Sequence, residues 1–252
     1  DNNSHQSLKI VVCFHKPSVL FKHPYLINMH VGRRVMDLPY KTADDNRESK
    51  INESGKKWLI NNLIGDDSGD NISYLNRNFN EFTGLYWAYK NYDKIGTDYI
   101  GSFHYRRFFD LDVVNKALNY DIICRGRFYY KETILGQYVG YHGKFTISEF
   151  LKIWKSNYPD DCTLMEYFSG DYGYFNSMFI MKKNIFFEFC DIFFPILLEL
   201  EQQLSSLPDE VRYYRNDRRD LAYLSERLLG YFIWKKINKD RVKCMETMCV
   251  SV

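Results

Sequence analysis

Residues 8–14 read LKIVVCF, and His15, Lys16 and Pro17 follow. A short, nearly unbroken apolar run of this kind suits a strand covered on both faces, as in a parallel sheet. Cys13 inside it reads as a small core residue. Similar runs recur at 98–103 (DYIGSF), at 120–124 (YDIIC) and at 174–181. Helical stretches alternate with them. Phe79, Phe82, Tyr86 and Tyr89 keep helical spacing over 78–91. Thr146-Ile147-Ser148-Glu149 has the capping-box form and predicts a helix that ends before Pro159. Asn184 is placed to cap a long amphipathic helix running to Leu204, and Asp217 to start a last helix through Tyr231. Strands alternating with helices, with no repeat and no linker, predict one α/β domain over residues 1–252. Within it, residues 1–7 are expected to be disordered and the charged stretch 40–57 to be an exposed, mobile segment.

Composition narrows the function classes. Hydrophobic residues make up 45% of the 252, too many for a disordered chain. Lys plus Arg number 34 against 32 acids, which leaves too little net charge for a protein that binds nucleic acid through its phosphates. The six cysteines form no C-x-x-C pair, so neither a zinc cluster nor a disulfide framework is expected. The polar start DNNSHQS has no apolar signal core. The apolar stretch 185–200 carries Glu188, Asp191 and Glu199, which a bilayer span tolerates poorly. The expected location is therefore cytoplasmic. Basic residues from Lys235 to Lys243 leave room for a peripheral contact with the inner face of an anionic membrane, or for a solvated C-terminal segment.

In open α/β sheets ligands bind beyond the carboxyl ends of the strands. His15 and Lys16 stand there, as do His104, Arg106 and Arg107. Two guanidiniums and an imidazole suit a phosphate or carboxylate, or else one arginine faces solvent and the other makes a structural ion pair. Asp66, Asp67 and Asp70 lie among glycines and read as turn residues before cation ligands. Asp110-Leu111-Asp112 has the D-x-D form that holds a divalent metal on a diphosphate. Arg219 and Glu226 are seven apart on a predicted helix and share one face. Asp171 precedes a strand, either as a turn residue or as an acid at a pocket mouth. His142 sits in an aromatic, glycine-flanked loop of the kind that contacts sugars. No dinucleotide, P-loop, nucleophile-elbow or zinc-protease motif occurs.

Taken in order, several blocks resemble a bacterial family of capsular-polysaccharide and exopolysaccharide glycosyltransferases, long catalogued as a domain of unknown function, whose members include galactofuranosyltransferases. The blocks are IVVCFHK (10–16), HVG (30–32), GDDSGDNISYLNRNFNEFTGLYWAYKN (65–91), YIGSFHYRRFF (99–109), NSMFIMKK (176–183) and RDLAYLSERLL (219–229). They span nearly the whole chain. Asn80, Ser177 and Ala222 depart from the usual pattern, which bears on acceptor specificity.

The resemblance implies a GT-A-like α/β fold with a central, mostly parallel but mixed sheet flanked by helices. It also implies sugar transfer, galactofuranose being the family's precedent, from a UDP-sugar to an oligosaccharide or lipid-linked glycan in capsule, O-antigen or exopolysaccharide synthesis. Donor and diphosphate contacts then fall on His15, Asp70, Asn71, His104, Arg106, Arg107 and Arg219, and acceptor contacts on His142 and Asn176. If the reaction inverts the anomeric carbon, Glu226 is the first choice of base and Asp171 the second. Asp110 and Asp112 are the candidates for a Mn²⁺ or Mg²⁺ ion, with direct binding by His104 and Arg106 as the rival. A non-catalytic glycan-binding module is the alternative function.

Overall fold

The computed structural model describes residues 7–38, 40–41, 48–212 and 219–252. In chain order the strands are β1 (Leu8–Phe14), β2 (Leu26–His30), β3 (Tyr40–Lys41), β4 (Glu48–Ser49), β5 (Ile64–Gly65), β6 (Tyr99–His104), β7 (Arg107–Phe109), β8 (Ile122–Arg125), β9 (Phe128–Tyr129), β10 (Tyr172–Gly173), β11 (Phe179–Lys182), β12 (Cys244–Thr247) and β13 (Cys249–Ser251). The helices are α1 (Glu53–Asn62), α2 (Asn76–Phe79), α3 (Phe82–Lys90), α4 (Leu111–Asn115), α5 (Ile134–His142), α6 (Phe145–Asn157), α7 (Thr163–Phe168), α8 (Lys183–Ser205), α9 (Asp209–Arg212) and α10 (Asp220–Asn238).

The main sheet has the order β12-β8-β11-β6-β1-β2-β5, with β7 and β13 attached beside β6. β1 pairs in parallel with β2 and β6, β2 with β5, and β12 with β8. β11 runs against both of its neighbours. This is the mixed, largely parallel sheet that the resemblance implies. The apolar run of β1 is covered on both faces: Ile10, Val12 and Phe14 pack on the α1 side with Leu59 and Leu63, while Val11 and Cys13 pack against α3. Gly84 lets α3 come close, because a Cβ there would stand 2.8 Å from Val31 Cγ1 and 3.2 Å from Met29 Sδ.

Several local expectations change. The helix expected over 78–91 is two helices, broken where Asn80 takes φ 47° and ψ −126°. Thr146 caps nothing; it lies inside α6 and donates to Asp220 Oδ2 at 2.6 Å. Asn184 lies within α8, whose first turn has no side-chain cap. The strand expected over 174–181 forms only from Phe179, because Asn176 and Ser177 adopt left-handed φ values of 75° and 50°. The last helix continues to Asn238, and Asp217 lies outside the described residues. So do residues 1–6 of the expected disordered start, whereas the Ser7 amide and hydroxyl both bond Asp98 Oδ2. Residues 42–47 of the 40–57 segment also lie outside; its end, from Glu53, opens α1 with Asn52 as a side-chain cap.

The basic C-terminal stretch is folded in. Lys236 is buried and pairs with Glu188 and Asp240, and Lys239 pairs with Glu166. Beyond it, β12 and β13 join the sheet. Among the described residues no helix is long and apolar enough to cross a membrane.

Candidate functional site

The carboxyl ends of β1, β2, β5, β6, β8 and β12 lie on one edge of the sheet, and the segment leading into the antiparallel β11 meets the same edge. From β1 the chain moves to β2 and β5 on one side; β6 then pairs on the other side of β1. The strand order therefore reverses between β1 and β6, and a crevice opens where the two connections part. His15 follows β1 there, and His104 ends β6.

Tyr105 and Arg106 form the turn from β6 into β7, and the Tyr105 amide donates to the Cys13 carbonyl at 3.2 Å. His15 meets the Tyr105 ring edge-on with centroids 5.1 Å apart, and the Arg106 guanidinium lies 5.9 Å from the same ring. His15 is exposed at the end of β1, yet its surroundings desolvate the ring. That desolvation, followed by the charges of Lys16, His104 and Arg106, lowers its pKa to about 4. His15 is thus a neutral donor or acceptor beside cations in the free protein at neutral pH.

Glu81 rises into this crevice from the residue just before α3. Its Oε1 stands 3.6 Å from His104 Nε2, and the two side chains are 16% and 22% exposed. Burial alone would raise the Glu81 carboxyl. The adjoining His104 and its own amide more than offset that, and it stays below the usual carboxylate range. Next to it, the left-handed Asn176-Ser177 turn is braced from two sides. The Arg125 guanidinium, at the end of β8, donates to Asn176 Oδ1. Glu226 Oε1 accepts the Asn176 amide at 2.6 Å, while Glu226 Oε2 takes Arg227 Nη1 at 2.7 Å. Three buried polar atoms around this turn have no hydrogen-bond partner: His104 Nε2, Ser177 Oγ and Arg227 Nε.

A second cluster adjoins Arg227. Its Nη2 donates to Gln137 Oε1 at 2.8 Å, on α5. His142, at the end of α5, stacks on Tyr223 with centroids 3.9 Å apart, and Arg219 lies over the same ring at 5.3 Å. Above it the β9–β10 ribbon carries exposed Tyr129, and Tyr141 is exposed at the end of α5. Asp171 is exposed beside that ribbon, with its carbonyl accepting the Tyr130 amide at 2.7 Å.

The fold therefore gathers His15, His104, Arg106, Asn176 and Glu226 at one edge, with His142 and Arg219 alongside. Others stand apart. Asp70 bonds Tyr86 and Asn91, five and ten residues past Glu81, or about 7–15 Å down the helix axis. Asn71 closes its own turn onto Asp67 and Gly69. Asp66 is fully buried and accepts from the Gly32 and Arg33 amides and the Ser73 and Thr83 hydroxyls. Asp110 Oδ1 caps α4 through the Asp112 amide at 2.9 Å, and both carboxylates are exposed. Among the described residues no group of three His, Cys, Asp or Glu side chains is placed to hold a metal ion. Asp110 thus serves as the cap of α4 in the described structure. Arg107 contributes backbone pairing to His104 and Ser251. Glu226, the expected base, has both oxygens engaged by the protein.

The resemblance marks Glu81 as a recurring position of the 65–91 block without giving it a role, and Ser177, Arg125 and Arg227 carry no motif of their own. Arg125 stands directly after the YDIIC run, so the strand-end rule that marks His104 marks it equally. Nothing short of the fold brings Glu81 to His104.

The apo structure of WbbM, described as a bifunctional glycosyltransferase, matches with a TM-score of 0.77 and 23% identity, covering 98% of this chain and 45% of that one. The likeness is one of fold, and this chain spans less than half the length of that protein. No curated protein matches the sequence. A family model described as domain of unknown function DUF4422 matches residues 9–239. That match takes in the crevice residues from His15 to Arg227, and the chain belongs to the DUF4422 family.

Proposed function

We propose that this chain is a glycosyltransferase that moves a sugar from a UDP-sugar donor to an oligosaccharide or lipid-linked glycan in bacterial capsule, O-antigen or exopolysaccharide synthesis, at the cytoplasmic face of the membrane. The observation that supports it is the reversal of strand order between β1 and β6, with His15, Lys16, His104 and Arg106 at the opening. A nucleotide diphosphate is the anion such a cationic switch point fits, and a leaving diphosphate gains from fixed donors aimed at it. The reading assigns charge neutralisation to Lys16 and Arg106, with the neutral His15 beside them. Galactofuranose as the sugar and inversion of the anomeric carbon are part of the same proposal.

Calorimetry with UDP, GDP and CMP, each with Mn²⁺ and with EDTA, tests it. The expected result is selective UDP binding that survives EDTA and weakens at least tenfold in Arg106→Ala. No nucleotide binding in any condition overturns it. The exposed Tyr129 and Tyr141 and the His142–Tyr223 stack favour the glycan-binding module as second reading, and that module binds glycan equally well with and without UDP.

A further inference from the structure

The crevice holds one carboxylate–imidazole pair that no feature of the fold requires. Glu81 and His104 approach to 3.6 Å without closing a hydrogen bond, and His104 Nε2 is buried without a partner. A purely structural pair would close that gap, since leaving a buried polar atom unbonded costs roughly 1–3 kcal/mol. Catalytic hydrogen bonds, by contrast, are often long until substrate is bound. The His104 side chain is 22% exposed although Nε2 is fully buried, so its exposed surface lies on atoms other than Nε2. The pair therefore sets a buried carboxylate beside a partly exposed imidazole. The two acids expected from the sequence, Glu226 and Asp171, offer no such arrangement. Glu226 holds the Asn176 amide and Arg227, and Asp171 is exposed beside the outer ribbon.

Resting on the glycosyl-transfer reading above, we propose that Glu81 and His104 are its proton-accepting pair, His104 Nδ1 taking the proton of the incoming hydroxyl and Glu81 positioning the ring. In the step, the acceptor oxygen forms a bond to the anomeric carbon. The bond from that carbon to the diphosphate oxygen breaks, and its electron pair leaves with the diphosphate. The hydroxyl proton passes to Nδ1, giving an imidazolium whose Nε2–H then closes on Glu81 Oε1. The proton leaves to solvent after the products depart. Glu81 is suited to this because its carboxylate stands beside the ring and meets the imidazolium charge as it forms. His15, Lys16 and Arg106 stand on the donor side and meet the charge that develops on the diphosphate.

Two measurements on the intact chain test this, and the first needs no turnover. ¹⁵N NMR spectra of His104 are recorded at one pH in the wild type and in Glu81→Gln. Removal of the facing carboxylate should move the Nε2 resonance; an unchanged His104 spectrum overturns the pair. The second follows UDP release from UDP-galactofuranose, UDP-galactose and UDP-glucose, with UDP affinity measured in parallel. Glu81→Gln and His104→Gln should each lower kcat about a hundredfold or more while the Kd for UDP stays within about threefold. Glu81→Asp should recover part of the rate, and the acid limb of the kcat–pH profile should move in Glu81→Gln. Loss of UDP affinity in step with the rate shows that the residues hold the donor, and overturns the proton role. A wild type that binds no nucleotide sinks the glycosyl-transfer reading instead, and the NMR comparison still decides whether Glu81 and His104 interact.

Discussion

Glu226 Oε1 accepts the backbone amide of Asn176 at 2.6 Å, so α10 holds in place a turn fifty residues earlier in the chain. The turn needs that help. Non-glycine residues in the left-handed region cost about 1–2 kcal/mol each, and Asn176 and Ser177 sit there in succession. The other Glu226 oxygen neutralises Arg227, which is buried on α10. Replacing Glu226 by Ala leaves a buried guanidinium without its carboxylate and the turn without its acceptor. The expected cost is about 3 kcal/mol. For a chain of this size that is roughly 8 °C in Tm, and Glu226→Gln should lose less than half as much. Thermal unfolding of both variants checks this.

Gly230 sets how closely α10 approaches the segment before that turn. A Cβ there would stand 2.6 Å from the Tyr174 carbonyl oxygen, a backbone atom that cannot swing aside. Gly230→Ala should therefore destabilise by about 1–3 kcal/mol, despite the better helix propensity of alanine. Gly140→Ala, whose Cβ meets nothing within 4 Å, should instead gain a few tenths of a kcal/mol in the same assay.

Asn80 carries the opposite prediction. Its φ of 47° with ψ −126° breaks the helical stretch between α2 and α3 and delivers Glu81 to the crevice. Only glycine adopts such angles without strain, so Asn80→Gly should stabilise the chain by about 1 kcal/mol. The backbone bonds that fix the break, from the Asn80 amide to Asn76 and from the Thr83 amide to Asn80, do not depend on the side chain. Equilibrium unfolding in urea, with an unchanged slope and a higher midpoint, is the expected outcome.

The sequence discloses the sheet more readily than the site, for physical reasons. β1, β6 and β8 are short apolar runs buried on both faces, and burial on both faces is what makes a run uniform enough to read. α8 is legible through its amphipathic spacing. The strand expected over 174–181 is mostly absent because two left-handed residues end it, and neither Asn nor Ser announces a positive φ. The block at 65–91, the longest part of the resemblance, turns out to be chiefly architecture: Asp66 gathers four hydrogen bonds and Asn91 ties down the Asp70 carbonyl. Glu81 is its one acid in the crevice, and its partner lies on another strand. His15 and His104 were legible because strand ends are where open α/β sheets bind.

A buried charge network couples α10 to pH. Asp220, at the start of α10, is 3% exposed and bonds Thr146; Arg212 Nε stands 3.9 Å away, and Arg212 itself pairs with the buried Glu201. Burial is the largest influence and Glu201 adds to it, outweighing Thr146, Arg212 and the Leu221 amide, so the Asp220 pKa rises from 3.8 to about 6. The native chain then holds this proton more tightly than the unfolded chain. The contribution to stability is full below about pH 4 and is lost as pH rises through about 6. Two pH units correspond to about 3 kcal/mol. Asp220→Asn keeps the neutral shape, so the difference in Tm between variant and wild type should shrink as pH falls from 7.5 to 5. A difference that stays constant over that range would show that Asp220 is ionised throughout.

His15 supplies a pH dependence of binding. In the free protein its desolvated surroundings and neighbouring cations keep its pKa near 4, so it is neutral at pH 7. A diphosphate seated at the β1–β6 opening would place negative charge beside the ring and cancel the repulsion from Lys16 and Arg106. The pKa of His15 must then be higher in the complex than in the free protein. By linkage, binding takes up protons between those two values, and affinity for UDP rises as pH falls. Between pH 7.5 and 5.5 the wild type should bind UDP several-fold more tightly at the acid end, with proton uptake seen as a buffer-dependent enthalpy in calorimetry. UDP itself gains a proton near pH 6, which works against binding and applies equally to every variant. His15→Gln, which keeps a polar side chain but cannot take the proton, isolates the histidine contribution. Its affinity should fall relative to the wild type as pH drops, and its proton uptake should be smaller. If wild type and variant show the same pH slope and the same buffer dependence, His15 does not face the diphosphate, and the donor must enter on the other side of β6.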